Sequence, residues 1–288
     1  MNTRESLNPQ SDLKTDATHS VLESVISGLI EPRQDAPEIY KPTLISNRPG
    51  DLTMHDEISD ALTNSDSFDI STAFVSPDAI LSLFEDFRSH HANAPEQVSR
   101  LITSTKNHFN DPRAFWELLH LQRTAGVDVR VWAGSDSSVS VAQGQPFHPK
   151  GYVFSRRMRN GTPYYDLFVG SSNLTGAALN TQREWNLKVS SLANGELVAQ
   201  VRDEIDSQIA DSKPLTEEWI KQYEEDFKKY APPRRDILKS LEGREIQPNA
   251  MQKEALASLK KLREQGEHRA IIVSATGTGK TYLSAFDV

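Results

Sequence analysis

Hydrophobic and polar residues follow two spacings along the central part of the chain, one typical of strands and the other of helices. Val127–Trp132 alternates strictly, whereas Ile80, Leu83 and Phe87 repeat at helical spacing after a Ser-Pro pair that is typical of a helix start. Strands are predicted over Phe68–Val75, Val98–Thr103, Val127–Trp132, Gly151–Arg157, Tyr164–Val169 and Glu184–Val189. Helices are predicted over Asp56–Leu62, from Ser76 to Phe87, from Asp111 to Leu121 and over Glu196–Ile209. This succession predicts an α/β fold, in which a mixed β-sheet is sandwiched by helices and parallel strands are joined by right-handed crossovers.

The flanking segments differ from this pattern, so we predict four regions. Residues 1–45 are a polar extension with one short amphipathic helix over Ser20–Ile30, and residues 46–211 form the α/β domain. Residues 212–245 are charged and contain prolines, which favours a linker that carries one helix, Glu217–Tyr230. Residues 246–288 begin with a predicted helix over Pro248–Arg263 and continue into an apolar strand, Arg269–Ala275, as part of a second domain.

Polar motifs stand at the ends of three predicted strands in the α/β domain. His148 and Lys150 are two residues apart, a spacing that places both side chains on one face of a strand. A Gly-Ser-Ser-Asn turn follows the next strand, and a glutamate begins the last one. The candidate catalytic residues are His148, Lys150, Asn173 and Glu184, and the candidate phosphate-binding residues are Ser171 and Ser172.

These groups are suited to cleavage of a phosphodiester, which needs a nucleophile, a cation near the non-bridging oxygens and an acid for the leaving oxygen. In this interpretation His148 attacks phosphorus and forms a phosphohistidine that water resolves. Lys150 neutralises a phosphate oxygen, and Asn173 and Ser171 supply neutral donors. Glu184 accepts a hydrogen bond from the other imidazole nitrogen and fixes its tautomer.

A glycine-rich segment after the strand Arg269–Ala275 predicts a phosphate-binding loop. Its backbone N–H groups suit a β-phosphate, Lys280 suits the β/γ oxygens, and the Thr281 hydroxyl suits Mg²⁺. The candidate nucleotide-binding residues of this loop are Gly277, Thr278, Gly279, Lys280 and Thr281.

The charge of the chain is unevenly distributed. The net charge is −8, which argues mildly against purely electrostatic DNA binding, but residues 147–190 hold six basic and two acidic side chains. The basic cluster Arg156, Arg157 and Arg159 either contacts phosphates or discourages strand pairing at a hairpin edge, and the residues leave both interpretations open. The chain has no cysteine, no apolar run long enough to span a membrane and no signal-peptide pattern, so we expect a cytoplasmic protein.

The motif His-x-Lys followed by Gly-Ser-x-Asn resembles that of the phospholipase D superfamily over about residues 50–210, and most closely its bacterial nuclease branch. The resemblance implies a metal-independent site in which His148, Lys150, Asn173 and Glu184 hold the catalytic positions. It also implies a homodimer that pairs two histidines, because the chain carries one such motif. Where the superfamily often has Asp five residues after the lysine, this chain has Ser155.

The segment Ala275–Thr281 is similar to the phosphate loop of superfamily-2 helicases, whose ATP-binding domain has a RecA-like fold. Gln247–Gln252 resembles their adenine-reading segment, with Gln252 at the position of the adenine contact. The resemblance implies ATP and Mg²⁺ as cofactors of a full-length motor. Because no acidic motif follows before Val288, we expect residues 246–288 to be a truncated part of such a domain, without ATPase activity of its own.

Together, the motifs predict a phosphodiesterase acting on nucleic acid, as the N-terminal module of an ATP-dependent DNA helicase or translocase in restriction-like defence or DNA processing. DNA and RNA both remain possible substrates. One alternative is an inactive module that binds nucleic acid for the motor. The other is a phospholipase or lipid transferase, which the helicase-like tail and the absence of a signal peptide argue against.

Overall fold

The computed structural model describes residues 9–105, 108–132, 147–230, 250–267 and 269–272. The chain divides into two compact units, Met1–Pro232 and Pro233–Val288. The first unit contains seven described α-helices: α1 Pro9–Leu29, α2 Met54–Thr63, α3 Pro77–Ser82, α4 Phe84–Asn93, α5 Pro112–Ala125, α6 Glu196–Ala210 and α7 Glu217–Tyr230. Its described strands are β1 Thr43–Ile45, β2 Ser67–Thr72, β3 Arg100–Thr103, β4 Asp128–Trp132, β5 Lys150–Arg157, β6 Pro163–Gly170, β7 Asn186–Leu192 and β8 Ser212–Pro214.

The strands form one mixed sheet in the order β1-β7-β6-β5-β2-β3-β4-β8. β2, β3 and β4 are parallel, and the other neighbouring pairs are antiparallel. Because β5 runs against β2, the first residue of β5, Lys150, pairs with the last residue of β2, Thr72. The turn region after β2 therefore lies beside the start of β5.

Local sequence signals account for the ends of several helices. Thr53 and Asp56 form a reciprocal capping box at the start of α2, which satisfies backbone donors of the first turn. Asp111 caps α5, and Pro112 occupies its first helical position, where a missing N–H costs nothing. Gly126 ends α5 in the left-handed conformation, with φ of 62°, which glycine adopts without a steric penalty.

The sheet lies between two layers of helices. On one face a buried cluster joins Phe68, Phe154 and Phe168 to apolar residues of α2, α3, α4, α5 and α7. On the other face α6 contributes Val198 and Ile205, which pack against Val153 of β5 and Leu167 of β6. The predicted fold class, a mixed sheet sandwiched by helices, is confirmed.

Several elements differ from the sequence-based prediction. The single helix predicted from Ser76 to Phe87 is two helices, because Leu83 leaves helical geometry at φ −102° and ψ 5°. The short edge strands β1 and β8 were not predicted, since three residues carry too little alternation to be recognised. A π-helical turn at Ala177–Thr181 was also missed.

Residues 212–230, which the sequence placed at the start of a linker, pack on the first unit. β8 pairs with β4, and Leu215, Ile220 and Tyr223 are buried in the main cluster. This segment packs here because α7 has an apolar face. Burial of that face against α5 is favourable although the rest of the segment is polar. Residues 231–249 lie outside the described residues.

The second unit has one described helix, α8 Ala250–Glu264, close to the predicted span of Pro248–Arg263. The predicted strand Arg269–Ala275 has no strand conformation over its described part, residues 269–272, and its other residues lie outside the described ones. Over the ranges that the structure covers, no helix combines the length and apolar character that crossing a membrane requires.

Candidate active site

Three strand ends bring the candidate catalytic segments to the same end of the sheet. Lys150 is the first residue of β5, Gly170 is the last residue of β6, and Asn186 is the first residue of β7. β6 pairs antiparallel with both neighbours, and Gly170 pairs with Asn186 while Val169 pairs with Gly151. Because adjacent strands lie about 4.8 Å apart, the His-x-Lys segment, the Gly-Ser-Ser-Asn turn and the glutamate lie side by side.

The imidazole of His148 and the ammonium group of Lys150 are in direct contact. Lys150 Nζ lies 2.9 Å from His148 Nδ1 and 3.3 Å from Nε2, and it also donates to the His148 carbonyl oxygen at 3.3 Å. The ring of Phe74 meets the His148 ring edge to face, with centroids 5.7 Å apart. The lysine and the phenylalanine thus hold an exposed imidazole in place.

The backbone of this segment is tied to the end of β2. The Ala73 N–H donates to the Pro149 carbonyl oxygen at 3.1 Å, which extends the β2–β5 pairing beyond the strand ends. The Ala73 carbonyl in turn accepts hydrogen bonds from Ser104 Oγ at 3.1 Å and Asn110 Nδ2 at 3.2 Å. Buried hydrogen bonds therefore hold in place the backbone of Ala73, which pairs with the segment that carries His148.

The glycine of the Gly-Ser-Ser-Asn turn is required by close packing. A Cβ at Gly170 would lie 2.2 Å from the Trp185 carbonyl oxygen and 2.5 Å from Asn186 Oδ1. Any side chain here would push β7 away from β6. Ser171 N–H donates to the Trp185 carbonyl at 3.0 Å, so the turn remains paired with the residue before β7.

Ser171 and Ser172 have different environments. Ser171 is exposed, and its hydroxyl donates to a carboxylate oxygen of Glu184. Ser172 is fully buried, donates from Oγ to the Ala178 carbonyl oxygen at 3.2 Å, and accepts from Asn186 Nδ2 at 2.8 Å. We therefore assign the Ser172 hydroxyl to the support of the turn rather than to phosphate.

Asn173 is oriented by the turn region after β2. Its side-chain oxygen accepts from the Phe74 N–H at 3.3 Å and from Thr72 Oγ1 at 3.5 Å. The next residue, Leu174, donates from its N–H to the Phe74 carbonyl at 3.1 Å. With its oxygen held in this way, the amide of Asn173 has its Nδ2 donor group available to present to an anion.

Glu184 lies beside the turn but has a different partner from the one that the sequence suggested. Among the described residues its carboxylate accepts from Ser171 rather than from His148. Ser171 Oγ also accepts from the Trp185 N–H at 3.0 Å, so its hydroxyl proton is directed at the carboxylate. Glu184 therefore orients a hydroxyl group at the site.

Sequence reasoning missed two residues that support the turn. Asn186 is buried, and its Oδ1 accepts from the Ser172 N–H at 3.1 Å. Tyr152 donates from its buried hydroxyl to the Ser172 carbonyl oxygen at 3.0 Å, and burial raises the pKa of this hydroxyl, which keeps it protonated. Asn186 is the first residue of β7, two residues after Glu184, so a polar residue at the start of an apolar strand was the available signal for it.

Much of the positive charge predicted around the site is neutralised. Arg156 is buried against Asp166 with a nitrogen–oxygen distance of 2.9 Å. Arg157 pairs with Asp66 at 2.8 Å and Lys188 with Glu57 at 2.9 Å. For Arg156 and Arg157, the structure favours ion pairs within the fold over phosphate contacts.

The candidate nucleotide-binding residues fall in the second unit. Gln252 lies on α8 and is buried, with 5% of its surface exposed. Gly277, Thr278, Gly279, Lys280 and Thr281 lie outside the described residues. Their assignment stays a prediction.

Comparison with protein families identifies both parts of the chain. A family model described as "Cardiolipin synthase, PLD-like domain" matches residues 56–209, more than half of the chain. The chain therefore belongs to the PLD-like domain family. A model described as "Type III restriction enzyme, res subunit" matches residues 245–288, so a PLD-like domain is joined to a segment that resembles a helicase-type subunit.

Solved structures with a similar chain path have low sequence identity. NucT from Helicobacter pylori is 13% identical, with 61% of this chain and 99% of that chain covered and a TM-score of 0.44. Nuc from Salmonella typhimurium, a phospholipase D family member, is 11% identical, with 60% and 98% covered and a TM-score of 0.43. Polyphosphate kinase from Porphyromonas gingivalis is 14% identical, with 64% and 29% covered and a TM-score of 0.43. A search of curated proteins found no match.

Proposed function

We propose that the PLD-like domain is a nuclease that cleaves DNA phosphodiesters through a phosphohistidine intermediate. The observation that carries the proposal is the contact between His148 and Lys150, beside the turn that holds Asn173 and Ser171. A nucleophile, a cation and a neutral amide donor thus lie at one end of the sheet, as attack on an anionic phosphorus requires.

In the first step, a ring nitrogen of His148 forms a bond to phosphorus while the bond from phosphorus to the leaving ester oxygen breaks. That oxygen takes a proton from a general acid. Lys150 and the Asn173 amide donate to the non-bridging oxygens, where charge accumulates in the transition state. In the second step, water attacks the phosphohistidine, a base removes its proton, and the P–N bond breaks to release a phosphate monoester and the neutral imidazole.

The hydroxyl of Ser171 has a positioning role in this scheme. Glu184 accepts a hydrogen bond from this hydroxyl, which fixes its direction and places a negative charge near the candidate site. We therefore propose that Glu184 acts through the orientation of Ser171.

The proposed general acid is the histidine of a second copy of the chain. The His-x-Lys motif occurs once in 288 residues, whereas the reaction uses one imidazole as nucleophile and one as proton donor. A homodimer with a two-fold axis at the site supplies both.

In the full-length protein we propose that ATP and Mg²⁺ serve the helicase-type part, with Gln252 and Gly277–Thr281 as the nucleotide-binding residues. The match of residues 245–288 to a restriction-enzyme subunit supports a translocase that works beside the nuclease, with a role in restriction or phage defence. The nuclease steps above use only side chains of the PLD-like domain and require no metal ion.

The test uses end-labelled DNA, the purified protein and excess EDTA, with His148→Ala as the diagnostic variant. Cleavage by the native chain and its loss in the variant support the proposal, and a labelled phosphohistidine should be recovered from the native chain alone. His19→Ala is the matched control, because His19 is exposed on α1 and has no lysine two residues later.

The other outcomes separate the alternatives. DNA binding without cleavage would identify an inactive nucleic-acid-binding module. The absence of both, with hydrolysis of a phospholipid, would identify a lipid phosphodiesterase. Full DNA cleavage by His148→Ala would overturn the assignment of the nucleophile.

A further inference from the structure

An exposed tryptophan stands between Glu184 and the start of β7. The side chain of Trp185 is 73% exposed, although the next residue, Asn186, is buried. The backbone of Trp185 is fixed, because its N–H donates to Ser171 Oγ at 3.0 Å and its carbonyl oxygen accepts from the Ser171 N–H at 3.0 Å. The fold thus holds an indole ring in water beside the hydroxyl that Glu184 orients.

A second exposed aromatic ring, that of Phe109, lies in the segment between β3 and α5. It is 42% exposed, and both of its neighbours are anchored. His108 has a left-handed backbone, with φ of 52°, and its ring stacks on Tyr223 of α7 with centroids 5.7 Å apart. Asn110 is buried, and its side-chain oxygen accepts from the Val75 N–H at 2.9 Å. A left-handed backbone is unfavourable for a residue with a side chain, so these contacts are needed to hold the segment in place.

The two aromatic rings flank the candidate site. β7 begins and β3 ends at the end of the sheet where β5 begins, and one strand separates each of them from β5. Because neighbouring strands lie about 4.8 Å apart, β7 and β3 reach this end about 10 Å to either side of β5. Phe109 is linked to His148 through Phe74, whose ring meets both edge to face at centroid distances of 5.5 Å and 5.7 Å. His148 therefore lies between two exposed aromatic groups, Phe109 and Trp185.

Charge alone provides limited attraction for a nucleic-acid strand at this site. Arg156, Arg157 and Lys188 are each paired with a carboxylate within the fold. Contacts with phosphates supply most of the sequence-independent affinity of proteins for nucleic acid, and these ion pairs withdraw cations from that role. Stacking of bases on aromatic side chains is the other main source of affinity for single strands, and it does not require a cation.

We propose that Trp185 and Phe109 stack on unpaired bases of a DNA strand, on either side of the phosphodiester at His148. The inference rests on the proposed function, because that function places the phosphate between the two bases. Each base is joined to its phosphate through the sugar, so the bases that flank a bound phosphate lie to its two sides, as the two rings do. In a duplex the faces of the bases are covered by their stacked neighbours. The two rings therefore favour single-stranded DNA.

The first test measures binding of a dye-labelled single-stranded oligonucleotide by fluorescence anisotropy in EDTA. His148→Ala serves as the parent chain, so that the measurement needs no cleavage. Adding Trp185→Leu keeps an apolar side chain but removes the flat ring, and it should weaken binding about 5- to 150-fold. Adding Trp185→Phe keeps a ring and should retain most of the affinity. Leu22→Ala is the control, because Leu22 is 51% exposed on α1, which packs at the hairpin-turn end of β5 against Met158.

The second test compares ligands with and without accessible bases. Trp185→Leu and Phe109→Leu should each weaken binding of the single strand. Both should leave unchanged the binding of an oligomer of abasic deoxyribose phosphate and of a blunt-ended duplex. A substitution that merely disturbed the backbone around His148 would weaken binding of all three ligands. The ratio of the affinities of variant and parent should be the same at low and at high salt, because stacking adds no ion pair.

Unchanged binding of the single strand by Trp185→Leu, an equal loss with the abasic oligomer, or a parent chain that does not bind the single strand would overturn the stacking role. A Trp185→Leu chain that binds poorly and sediments differently from its parent would assign the indole to contact between copies, and would also overturn it. Stacking without DNA cleavage by the native chain would support the inference and refute the nuclease. Cleavage of single-stranded DNA with an unchanged KM in both variants would refute the inference and retain the nuclease.

Discussion

At the scale of single residues, neighbouring residues of the Gly-Ser-Ser-Asn turn have different roles, since some face the site and one points into the fold. Ser171 and Asn173 present polar groups at the site, whereas Ser172 points inwards and is bonded to Asn186 and Ala178. Asn186 thereby links the turn to β7, because its side chain forms hydrogen bonds with both the N–H and the hydroxyl of Ser172. The geometry of the site depends on residues that need not touch substrate.

Asn186→Ala should lower the free energy of unfolding by about 1–3 kcal/mol, because it leaves buried groups of Ser172 without partners. Urea denaturation monitored by tryptophan fluorescence measures this change. Asn180→Ala is the control, since Asn180 is exposed and makes one hydrogen bond to the Gly176 carbonyl. We expect the control within about 0.5 kcal/mol of the native chain. Equal stability of the two variants would contradict a stabilising role for the Asn186 hydrogen bonds.

The buried residue His90 should make the folded protein less stable at acid pH. It is buried, and its ring nitrogens contact the Leu62 carbonyl, Ser65 and Ser99. Burial lowers the pKa of His90 in the folded protein below its usual value. As the pH falls below about 6.5, the unfolded chain takes up a proton that the folded chain resists, so stability is lost as the pH falls towards the folded-state pKa.

Urea unfolding at pH 7.5 and at pH 5.5 measures this effect. The loss on acidification should be smaller in His90→Gln, which has no proton to gain, than in the native chain. His19→Ala should keep the native pH dependence, because His19 is exposed. A His90→Gln variant with the full native dependence would show that other groups are responsible.

At the scale of elements, the β5–β6 hairpin holds candidate catalytic residues at one end and a buried ion pair towards the other. His148 and Lys150 stand where β5 begins, and the buried pair Arg156–Asp166 stands towards the hairpin turn, with Ser190 Oγ also donating to Asp166 at 2.5 Å. Ser155, at the position where the superfamily often has aspartate, is on the opposite face from Arg156 because strand neighbours alternate. The acidic residue buried beside β5 is therefore Asp166 of β6.

Arg156→Met should destabilise the fold by about 3–5 kcal/mol, because it leaves the Asp166 carboxylate buried without its cation. The double variant Arg156→Met with Asp166→Leu should recover part of this loss, since neither charge then remains buried. Urea denaturation of the native chain, both single variants and the double variant gives the coupling energy. Additive effects of the two substitutions would contradict a mutual role of the pair.

The sequence predicted the central strands and most helices because each has a strong period of its own. β4 alternates strictly, and α5 has a proline start, an aspartate cap and a glycine end. The two three-residue edge strands could not be predicted in this way, because they depend on strands that are distant in the sequence. The π-helical turn likewise contacts a distant residue, since Asn47 donates to the carbonyl oxygens of Ala178 and Gln182. No glycine or proline marks the break at Leu83.

At the scale of the whole molecule, the proposed site belongs to two chains. If His148 of one copy acts with His148 of the other, an inactive chain should impair the native chain by forming mixed dimers. We expect excess His148→Ala to lower DNA cleavage by a fixed amount of native protein after the two are mixed and equilibrated. The measurement is the initial rate of cleavage in EDTA.

The control for this mixture is the same assay with DNA in excess over both proteins, which removes competition for DNA but leaves mixed dimers in place. We expect the inhibition to persist in excess DNA. Inhibition that disappears in excess DNA would indicate competition for DNA, and no inhibition at either DNA concentration would indicate a complete site within one chain.

The sequence by itself determined the candidate chemistry of the chain and the helical or strand period of its main elements. Spacing and residue type are local properties, and they sufficed to identify His148, Lys150, Asn173 and Glu184 as candidates and to predict a mixed sheet between helices. Tertiary structure decided which of two adjacent serines faces the site, which arginines are paired with carboxylates and which apolar positions remain exposed. These outcomes depend on strand register and on which residues face each other across paired strands. The period of one strand does not specify which distant strand pairs with it, or in which register.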